Sequence, residues 1–224
     1  MLHEQISKIS PTTKRLILRL VVAFGFFSIA TIGFISIADE VRDGDTTVLD
    51  EAVLLGLNEL SRPWVDSVMV FITQLGGVLV LGLATVLVVG YFWYKRRKYA
   101  ALMVLASMVG AGILNVLLKA LFARERPDLW TQLVTETSFS FPSGHALGSS
   151  AFALALIIIL WQTKWRILVL ILGSLYVLLI GLSRMYLGVH FPTDVVAGWL
   201  VSAGWVAIVA AFIVQRIHKK SKTI

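Results

Sequence analysis

Six stretches of the chain contain no charged residue and are each long enough to cross a lipid bilayer as a helix. They hold 17 to 28 residues, and a spanning helix needs about 20 apolar residues, with a range of roughly 17–25. The longest stretch can tilt or extend beyond the bilayer. The stretches are 20–38, 67–94, 99–118, 146–163, 167–183 and 195–215. We therefore predict six transmembrane helices, with both termini on one side of the membrane.

The composition excludes a soluble globular domain. Hydrophobic residues make up 58% of the chain and charged residues 15%, whereas a soluble domain has about 25% charged residues. The chain has no cysteine, which excludes disulfides, zinc ribbons and thiol chemistry. We predict an all-α polytopic membrane protein with one domain over 1–224, because no linker or internal repeat divides the 224 residues. Its helices are expected at about 16–38, 65–94, 99–121, 145–163, 166–183 and 193–216.

The distribution of charge predicts which side each connection occupies. If six helices alternate, one face carries 14 basic residues and one acidic residue, a net charge of +13, and the other face carries six basic and 12 acidic residues, a net charge of −6. Cytoplasmic connections are enriched in Lys and Arg. The termini and the basic connections 95–98 and 164–166 are therefore predicted to be cytoplasmic, so the net charge of +7 reports topology rather than nucleic-acid binding.

The acidic connection 39–64 is predicted to lie on the outer face. Asp45 is placed to cap a short helix over 46–60. Val48, Leu49, Val53, Leu57 and Leu60 would give this helix an apolar side suited to the bilayer surface. A solvated loop with one helical turn is an equally good interpretation of the same residues.

Ionisable residues at the outer ends of the predicted helices are the candidates for function, because charges beside a membrane core are costly. Lys119 ends the third span, Arg126 follows seven residues later, and Arg184 closes the fifth span. Arg offers a planar fork that matches phosphate oxygens, and Lys adds a mobile positive charge. A single Lys or Arg at a helix end usually extends its charged group to the membrane interface. Three such cations at the outer mouth of the helix bundle predict a phosphate site.

Two helices are predicted to begin at this mouth, at FPSGH (141–145) and HFPTD (190–194). Pro142 and Pro192 suit the first turn of a helix, where a missing N–H costs little. The free N–H groups of Ser143, Gly144 and His145 are expected to face a bound anion. Gly144 would also let the main chain approach that anion closely.

Two of the four histidines, His145 and His190, lie in this region. Asp194 follows His190 by four residues, which is within side-chain reach on one helical face. A carboxylate on one imidazole nitrogen fixes the tautomer and leaves the other nitrogen free to attack, while a second histidine donates a proton to the leaving oxygen. The same pair could form half of a metal site, but no third ligand is suitably spaced, so no metal is predicted.

These residues resemble the three-part phosphatase signature of the type 2 phosphatidic acid phosphatases, a superfamily that includes vanadium haloperoxidases. The parts are Lys119-(six residues)-Arg126-Pro127, then Pro142-Ser143-Gly144-His145, then Ser183-Arg184-(five residues)-His190-(three residues)-Asp194. All three occur in order, with no departure at a signature position. The motifs cover 119–194, and the six-helix plan covers the whole chain.

The resemblance implies a role for each signature residue. His190 would be the nucleophile that forms a phosphohistidine, Asp194 would orient it, and His145 would be the general acid that later activates water. The phosphoryl oxygens would be held by Lys119, Arg126, Arg184, Ser143 and the Gly144 N–H, with Pro127, Pro142 and Ser183 as supporting residues. The family is metal-independent, so no cofactor is expected.

The resemblance also implies a lipid phosphate as the substrate, with its tails in the bilayer. The chain looks like the bacterial membrane branch, phosphatidylglycerophosphatases or undecaprenyl pyrophosphatases, and phosphatidate and diacylglycerol pyrophosphate are further candidates. We expect a multi-pass protein of the bacterial cytoplasmic membrane whose site faces the periplasm or exterior, with no nucleic-acid partner and no obligate protein partner. A phosphotransferase that passes the phosphoryl group to a lipid acceptor is the alternative. A transporter is disfavoured, because the charges cluster at one face.

Overall fold

The structure, a computed structural model, describes residues 11–221, and this part of the chain contains eight helices and no strand. The all-helical fold expected from the sequence is confirmed. The helices are α1 (Pro11–Asp43), α2 (Thr47–Asn58), α3 (Pro63–Leu75), α4 (Val78–Tyr94), α5 (Lys98–Phe122), α6 (Gly144–Leu160), α7 (Arg166–Tyr186) and α8 (Pro192–Ser221). The terminal charges Glu4, Lys8 and Lys222 of the predicted inner face lie outside the described residues.

Four segments of the described helices are long and apolar enough to cross a membrane: Leu20–Asp43, Lys98–Phe122, Arg166–Tyr186 and Pro192–Val214. A fifth span is formed if α3 and α4 are taken together. Helix α6 is apolar but has only 17 residues. The chain is thus a multi-pass membrane protein, and the count of six spans and the side of the termini stay predictions.

The region predicted as one helix over 65–94 is divided into α3 and α4, which meet at an angle of 45°. The break falls at Gly76–Gly77, where the main chain leaves the helical hydrogen-bond pattern. Glycine favours such a break, since it lacks a side chain and carries a low helix propensity. Packing also requires a glycine here: a Cβ added at Gly76 would lie 2.7 Å from Cγ2 of Ile180, so α3 and α7 meet too closely for a side chain.

Helix α6 lies at the centre of the bundle and packs against α4, α5, α7 and α8. Eight of its 17 residues are buried. The main hydrophobic core joins α6 with α4, α5 and α8 through residues such as Met103, Leu147 and Val206. Helix α1 packs along α8 at the edge of the bundle and leaves large side chains such as Phe24 and Ile29 exposed, as a lipid-facing helix does.

Of the two interpretations of the acidic connection, the structure shows the short helix, α2, within the range 46–60. Its N-cap is Thr46 rather than the predicted Asp45, and the cap makes no side-chain hydrogen bond. Val48 and Leu49 are exposed, as a helix on the bilayer surface requires, but Asp50 and Leu54 on the opposite side are buried against the bundle. The sequence therefore located the helix and its apolar side but missed its buried acidic contact.

Close packing of α5 against α8 at Gly110 gives a stability prediction. A Cβ at Gly110 would lie 2.1 Å from the ring of Trp205, whose Nε1 donates to the carbonyl of Ala106, so the ring has little freedom to move. We expect Gly110→Ala to destabilise the protein by about 1–3 kcal/mol, the usual cost of overpacking. The control is Gly112→Ala on the same helix, where a Cβ meets open space. Thermal unfolding in detergent should show a lower midpoint for the first variant only, and equal midpoints would contradict the prediction.

Candidate active site

Four helix ends meet at one end of the bundle and carry the predicted site residues. Lys119 lies in the last turn of α5, His145 in the first turn of α6, Arg184 in the last turn of α7 and Asp194 in the first turn of α8. The α7–α8 connection turns at Gly188, whose φ of +69° disfavours other residues and whose Cβ would lie 2.7 Å from Trp130. This turn places His190 two residues before α8.

His190 and Asp194 form a buried pair. Nδ1 of His190 lies 3.3 Å from Oδ2 of Asp194, and both side chains are buried. Ser140 joins them, since its hydroxyl donates to the same Oδ2 at 2.5 Å and lies 3.3 Å from Nδ1. Asp194 Oδ2 also accepts the main-chain N–H of Phe191 at 2.9 Å, which fixes the carboxylate to the helix start. Sequence reasoning predicted the pair and missed Ser140.

The other imidazole nitrogen faces a guanidinium group. Nη1 of Arg126 lies 3.2 Å from Nε2 of His190. Because arginine can only donate, this contact requires a lone pair on Nε2, and the proton is then on Nδ1, where Asp194 accepts it. Burial lowers the pKa of His190 to about 3, against the opposing effect of Asp194. His190 is therefore neutral near pH 7, with Nε2 directed towards the cations.

Lys119 and Arg126 are held by the irregular segment that joins α5 to α6. Nζ of Lys119 donates to Oγ of Ser138 at 3.1 Å and to the carbonyl of Phe139. Nε of Arg126 donates to the carbonyl of Ser138 at 2.8 Å, and its Nη1 donates to the carbonyl of Val189 at 2.6 Å. These contacts, mostly to main-chain carbonyls, fix the two cations beside His190. A sequence motif does not identify such main-chain acceptors.

Arg184 is the most deeply buried of the three cations. Its Nη1 donates to Oγ1 of Thr73 on α3 at 2.8 Å, and its Nη2 donates to Oε1 of Glu136. Nε of Arg184 is buried and has no partner among the described residues. Oε2 of Glu136 also lies 3.6 Å from Nη2 of Arg126, so one carboxylate bridges two of the predicted phosphate-binding arginines.

Glu136 is held in its charged form. Burial alone would raise the pKa of Glu136, but the charge and hydrogen bond of Arg184 and the charge of Arg126 hold it below its usual value. The side chain is 24% exposed, whereas that of Arg184 is 1% exposed. The site thus contains an anion among its cations, and nothing in the three motifs indicates it.

The start of α6 differs in detail from the prediction. The helix begins at Gly144 with Ser143 as its N-cap, so Pro142 precedes the cap rather than occupying the first turn. The N–H of Ser143 donates to the carbonyl of Asp194 at 2.9 Å and is therefore not free for an anion. A Cβ at Gly144 would lie 2.9 Å from Oδ1 of Asn115, so the glycine allows α5 and α6 to approach. Pro192, by contrast, is the first residue of α8, as predicted.

His145 lies beside the break between α3 and α4. The positions of a Cβ added at Gly76 and Gly77 would be 3.4 Å and 3.8 Å from ring atoms of His145. The two glycines and the bend therefore leave room for the imidazole at the mouth of the bundle. The half-buried ring extends from the first turn of α6, the helix that the sequence assigned to it.

Two supporting residues of the signature have local structural contacts. The carbonyl of Pro127 accepts from Nε2 of Gln132 at 2.7 Å, and the same nitrogen donates to the carbonyl of Gly188 at 3.1 Å. The hydroxyl of Ser183 donates to the carbonyl of Ile180 at 2.7 Å, within its own helix. Through Gln132, Pro127 thus helps to connect the α5–α6 segment to the turn before His190. The hydroxyl of Ser183 is used in a hydrogen bond within α7.

Arg124 lies within the first motif but is not one of its signature residues. Its Nη2 lies 2.8 Å from Oδ2 of Asp50 on α2, and its Nη1 lies 2.7 Å from Oδ1 of Asp194. Asp50 in turn accepts the N–H and hydroxyl of Thr193. Arg124 therefore bridges two buried carboxylates and connects the short outer helix with the carboxylate behind His190.

Some signal for this bridge exists in the sequence. Asp50 is an acidic residue on a predicted amphipathic helix, and Arg124 lies two residues after the end of α5, within the first motif. Neither position identifies its partner, because Asp50 and Arg124 are 74 residues apart and Arg124 and Asp194 are 70 apart. A buried charge needs an opposite charge, but only the packing of α2 on the bundle selects which one.

Known proteins match both the sequence and the fold. The model of the PAP2 superfamily matches residues 100–218. Phosphatidylglycerophosphatase B of Bacillus subtilis is 32% identical over 195 residues, which cover 84% of this chain and 93% of that protein. An undecaprenyl-diphosphatase of Sulfolobus acidocaldarius is 33% identical over 162 residues, which cover 70% of this chain and 73% of that protein.

A solved structure agrees with these matches. The crystal structure of a transmembrane PAP2-type phosphatidylglycerolphosphate phosphatase from Bacillus subtilis superposes with a TM-score of 0.75 at 30% identity, over 87% of this chain and 96% of that one. The resemblance inferred from the three motifs is thereby confirmed. The chain belongs to the PAP2 superfamily, and it is a lipid phosphatase.

Proposed function

We propose that the protein hydrolyses the terminal phosphate of a membrane lipid, a phosphomonoester or a pyrophosphate, through a phosphohistidine on His190. The observation that carries this proposal is the buried His190–Asp194 pair, whose Nε2 faces Arg126. A neutral imidazole with its proton fixed on Nδ1 is a nucleophile at Nε2. Lys119 and Arg184 place two further cations at the same mouth, where the three charges would stabilise a phosphoryl group.

The first chemical step forms the N–P bond and releases the lipid alcohol or lipid phosphate. Nε2 of His190 attacks phosphorus, and the bond from phosphorus to the leaving oxygen breaks. The leaving oxygen takes a proton from His145, the only other histidine whose side chain the structure describes. Burial and the charge of Arg184 lower the pKa of His145 to about 3. The role therefore requires that the ring take up a proton when the substrate binds, which the negative charge of the phosphate beside it favours. Asp194 stabilises the positive charge that grows on His190, because its Oδ2 accepts the Nδ1 proton.

The second step returns the enzyme to its starting state. Water attacks phosphorus from the side that the lipid oxygen has left, His145 accepts a proton from that water, and the N–P bond breaks. Orthophosphate leaves, and His190 is again neutral. In both steps the guanidinium groups of Arg126 and Arg184 and the Lys119 ammonium stabilise the equatorial phosphoryl oxygens. These oxygens carry the negative charge in the transition state of phosphoryl transfer.

The charges and aromatic residues support a site on the outer face of the cytoplasmic membrane. At the end of the bundle opposite the site, Lys98, Lys164 and Arg216 lie over the rings of Trp93, Trp165 and Tyr99 at 5.2–5.4 Å. An excess of Lys and Arg is typical of the cytoplasmic side, and aromatic residues are enriched at both interfaces. The outer end would then present His190 at headgroup depth, with the lipid tails still in the bilayer.

The relatives suggest which lipids to test. Phosphatidylglycerophosphate and undecaprenyl pyrophosphate follow from the names of the two matched proteins, and phosphatidate and diacylglycerol pyrophosphate carry the same terminal group. The alternative is a phosphotransferase, in which a lipid hydroxyl replaces water in the second step.

The test is to supply the full chain, purified in detergent, with each of the four lipids labelled in the terminal phosphate. We expect labelled orthophosphate, inhibition by vanadate, and a kcat/KM that ranks the four lipids. Label recovered in a second lipid would identify the phosphotransferase. Release of no label from any lipid would refute the proposal.

Metal independence is tested in the same assay with EDTA. Among the side chains that the structure describes, no group of three His, Asp or Glu residues is placed to hold a metal ion. Unchanged activity in EDTA is therefore expected. Loss of activity in EDTA that an added divalent cation restores would contradict this expectation.

A further inference from the structure

Glu136 occupies a position that the proposed function requires for the substrate. Its carboxylate is hydrogen-bonded to Arg184 and lies 3.6 Å from Arg126. These are two of the three cations assigned to the phosphoryl oxygens. A carboxylate and a phosphate present similar oxygen acceptors to a guanidinium group, so they compete for the same donors.

Nε of Arg184 is the donor that the Glu136 carboxylate leaves without a partner among the described residues. A guanidinium binds an oxyanion most strongly through two adjacent N–H groups, and Nε and Nη2 form one such edge. Glu136 takes Nη2, while Nε is buried without a partner among the described residues. The opposite nitrogen, Nη1, is held by Thr73. A phosphoryl group can use the whole Nε–Nη2 edge only if Glu136 releases Nη2.

Glu136 is placed to leave the arginines without disturbing the core. It lies in the irregular segment between α5 and α6, and its side chain is 24% exposed, whereas Arg184 is 1% exposed. It lines a cleft of about 460 Å³ together with Lys119, Arg126 and Glu125. The carboxylate can therefore turn into the cleft while Arg184 stays in place.

We propose that Glu136 is an internal competitor of phosphate, which holds the arginines between turnovers and weakens the binding of the orthophosphate product. It lowers the affinity for substrate and product alike. Weak binding of both is compatible with fast turnover, because interactions made equally in the ground state and the transition state do not raise kcat. Since Glu136 is tethered beside the arginines, it returns as soon as the product moves away and so favours release.

The structural alternative makes the opposite prediction. If Glu136 served only to position Arg184 and Arg126 for the substrate, its loss would weaken phosphate binding. The sign of the change in affinity therefore decides between a competitor and a support.

The experiment compares the full chain in detergent with Glu136→Gln and Glu125→Gln. The second variant removes the same charge from the same cleft at an exposed residue that makes no ion pair among the described residues. The probe is inorganic orthophosphate at pH 8, titrated by calorimetry without turnover. We expect Glu136→Gln to bind orthophosphate about tenfold or more tightly, because a hydrogen bond between charged groups is worth at least that factor. Glu125→Gln should change the affinity by a much smaller factor.

Unchanged or weaker binding in Glu136→Gln, or an equal gain in both variants, would overturn the proposal. Glu136→Ala provides a second neutral side chain with the same expected direction. If neither Glu136 variant folds, the proposal is also overturned, because a group that leaves its partners in every cycle cannot be indispensable to the fold.

The outcome is separable from that of the proposed function, on which this inference rests for its biological meaning. If the lipids are hydrolysed but Glu136→Gln does not bind orthophosphate more tightly, the inference alone fails. If no lipid is hydrolysed but the affinity rises as expected, the proposed function fails and Glu136 remains a competitor for anions at this site.

Discussion

His190→Ala is expected to reduce phosphate release by a factor on the order of 10⁵ or more, the usual cost of removing a nucleophile from a site that acts as a unit. The reason is specific to this site, since Nε2 of His190 is the nitrogen that faces the cations while Nδ1 is committed to Asp194. The binding of substrate should change little, because Lys119, Arg126 and Arg184 remain. The loss should therefore appear in kcat rather than in KM.

Trapping of the phosphoenzyme distinguishes nucleophile from acid. With a lipid labelled in its terminal phosphate, the unaltered chain should yield acid-labile label on protein, and His190→Ala should yield none. His145→Ala should lose most activity on lipid esters but less on a phosphate ester with a good leaving group, which needs no general acid. Label on protein in His190→Ala would contradict the assignment of the nucleophile.

A control histidine lies at the other end of α8. His218 falls on the face that the charge pattern assigns to the cytoplasm. His218→Ala is expected to keep full activity. A large loss in this variant would indicate that histidine substitutions act through stability, and the midpoint of thermal unfolding would show it.

The predicted site residues that the structure brings together share one property. Lys119, His145, Arg184 and Asp194 lie within a turn of a helix end, and alternation of uncharged stretches assigns every second helix end to the same side. The lengths of the uncharged stretches and the positions of the charges between them therefore suffice to predict that these residues lie at the same end of the bundle. No knowledge of how the helices pack is needed. The four-residue spacing of His190 and Asp194 predicts their contact in the same way.

The residues that sequence reasoning missed lie in segments without a period or depend on contacts between distant parts of the chain. Glu136, Ser138 and Ser140 belong to the irregular segment between α5 and α6, whose path is fixed by the side chains of Lys119 and Arg126. Thr73 meets Arg184 across 111 residues. The break at Gly76–Gly77 was missed because the stretch 67–94 holds no charge to mark it.

Arg124 gives the second large expected effect. Its single positive charge is shared by Asp50 and Asp194, which are both buried. Arg124→Gln removes this shared countercharge from two buried carboxylates, and breaking a buried ion pair in this way costs about 3–5 kcal/mol. We expect a lower unfolding midpoint together with a fall in kcat of about 10²-fold, the scale on which a slight misplacement of a catalytic group acts. KM should change less, since Arg124 is a positioning residue that acts through Asp194.

A second substitution separates the two effects. In Arg124→Gln/Asp50→Asn the unpaired charge on α2 is removed, so the double variant should be more stable than Arg124→Gln alone, a non-additivity expected for residues in one network. Its kcat should nevertheless remain low, because Asp194 Oδ1 still lacks the guanidinium that fixes it behind His190. Recovery of kcat together with stability would show instead that Arg124 acts only by attaching α2 to the bundle. Thermal unfolding and steady-state kinetics on the same preparations distinguish these outcomes, because the first reports the buried charge and the second reports the position of Asp194.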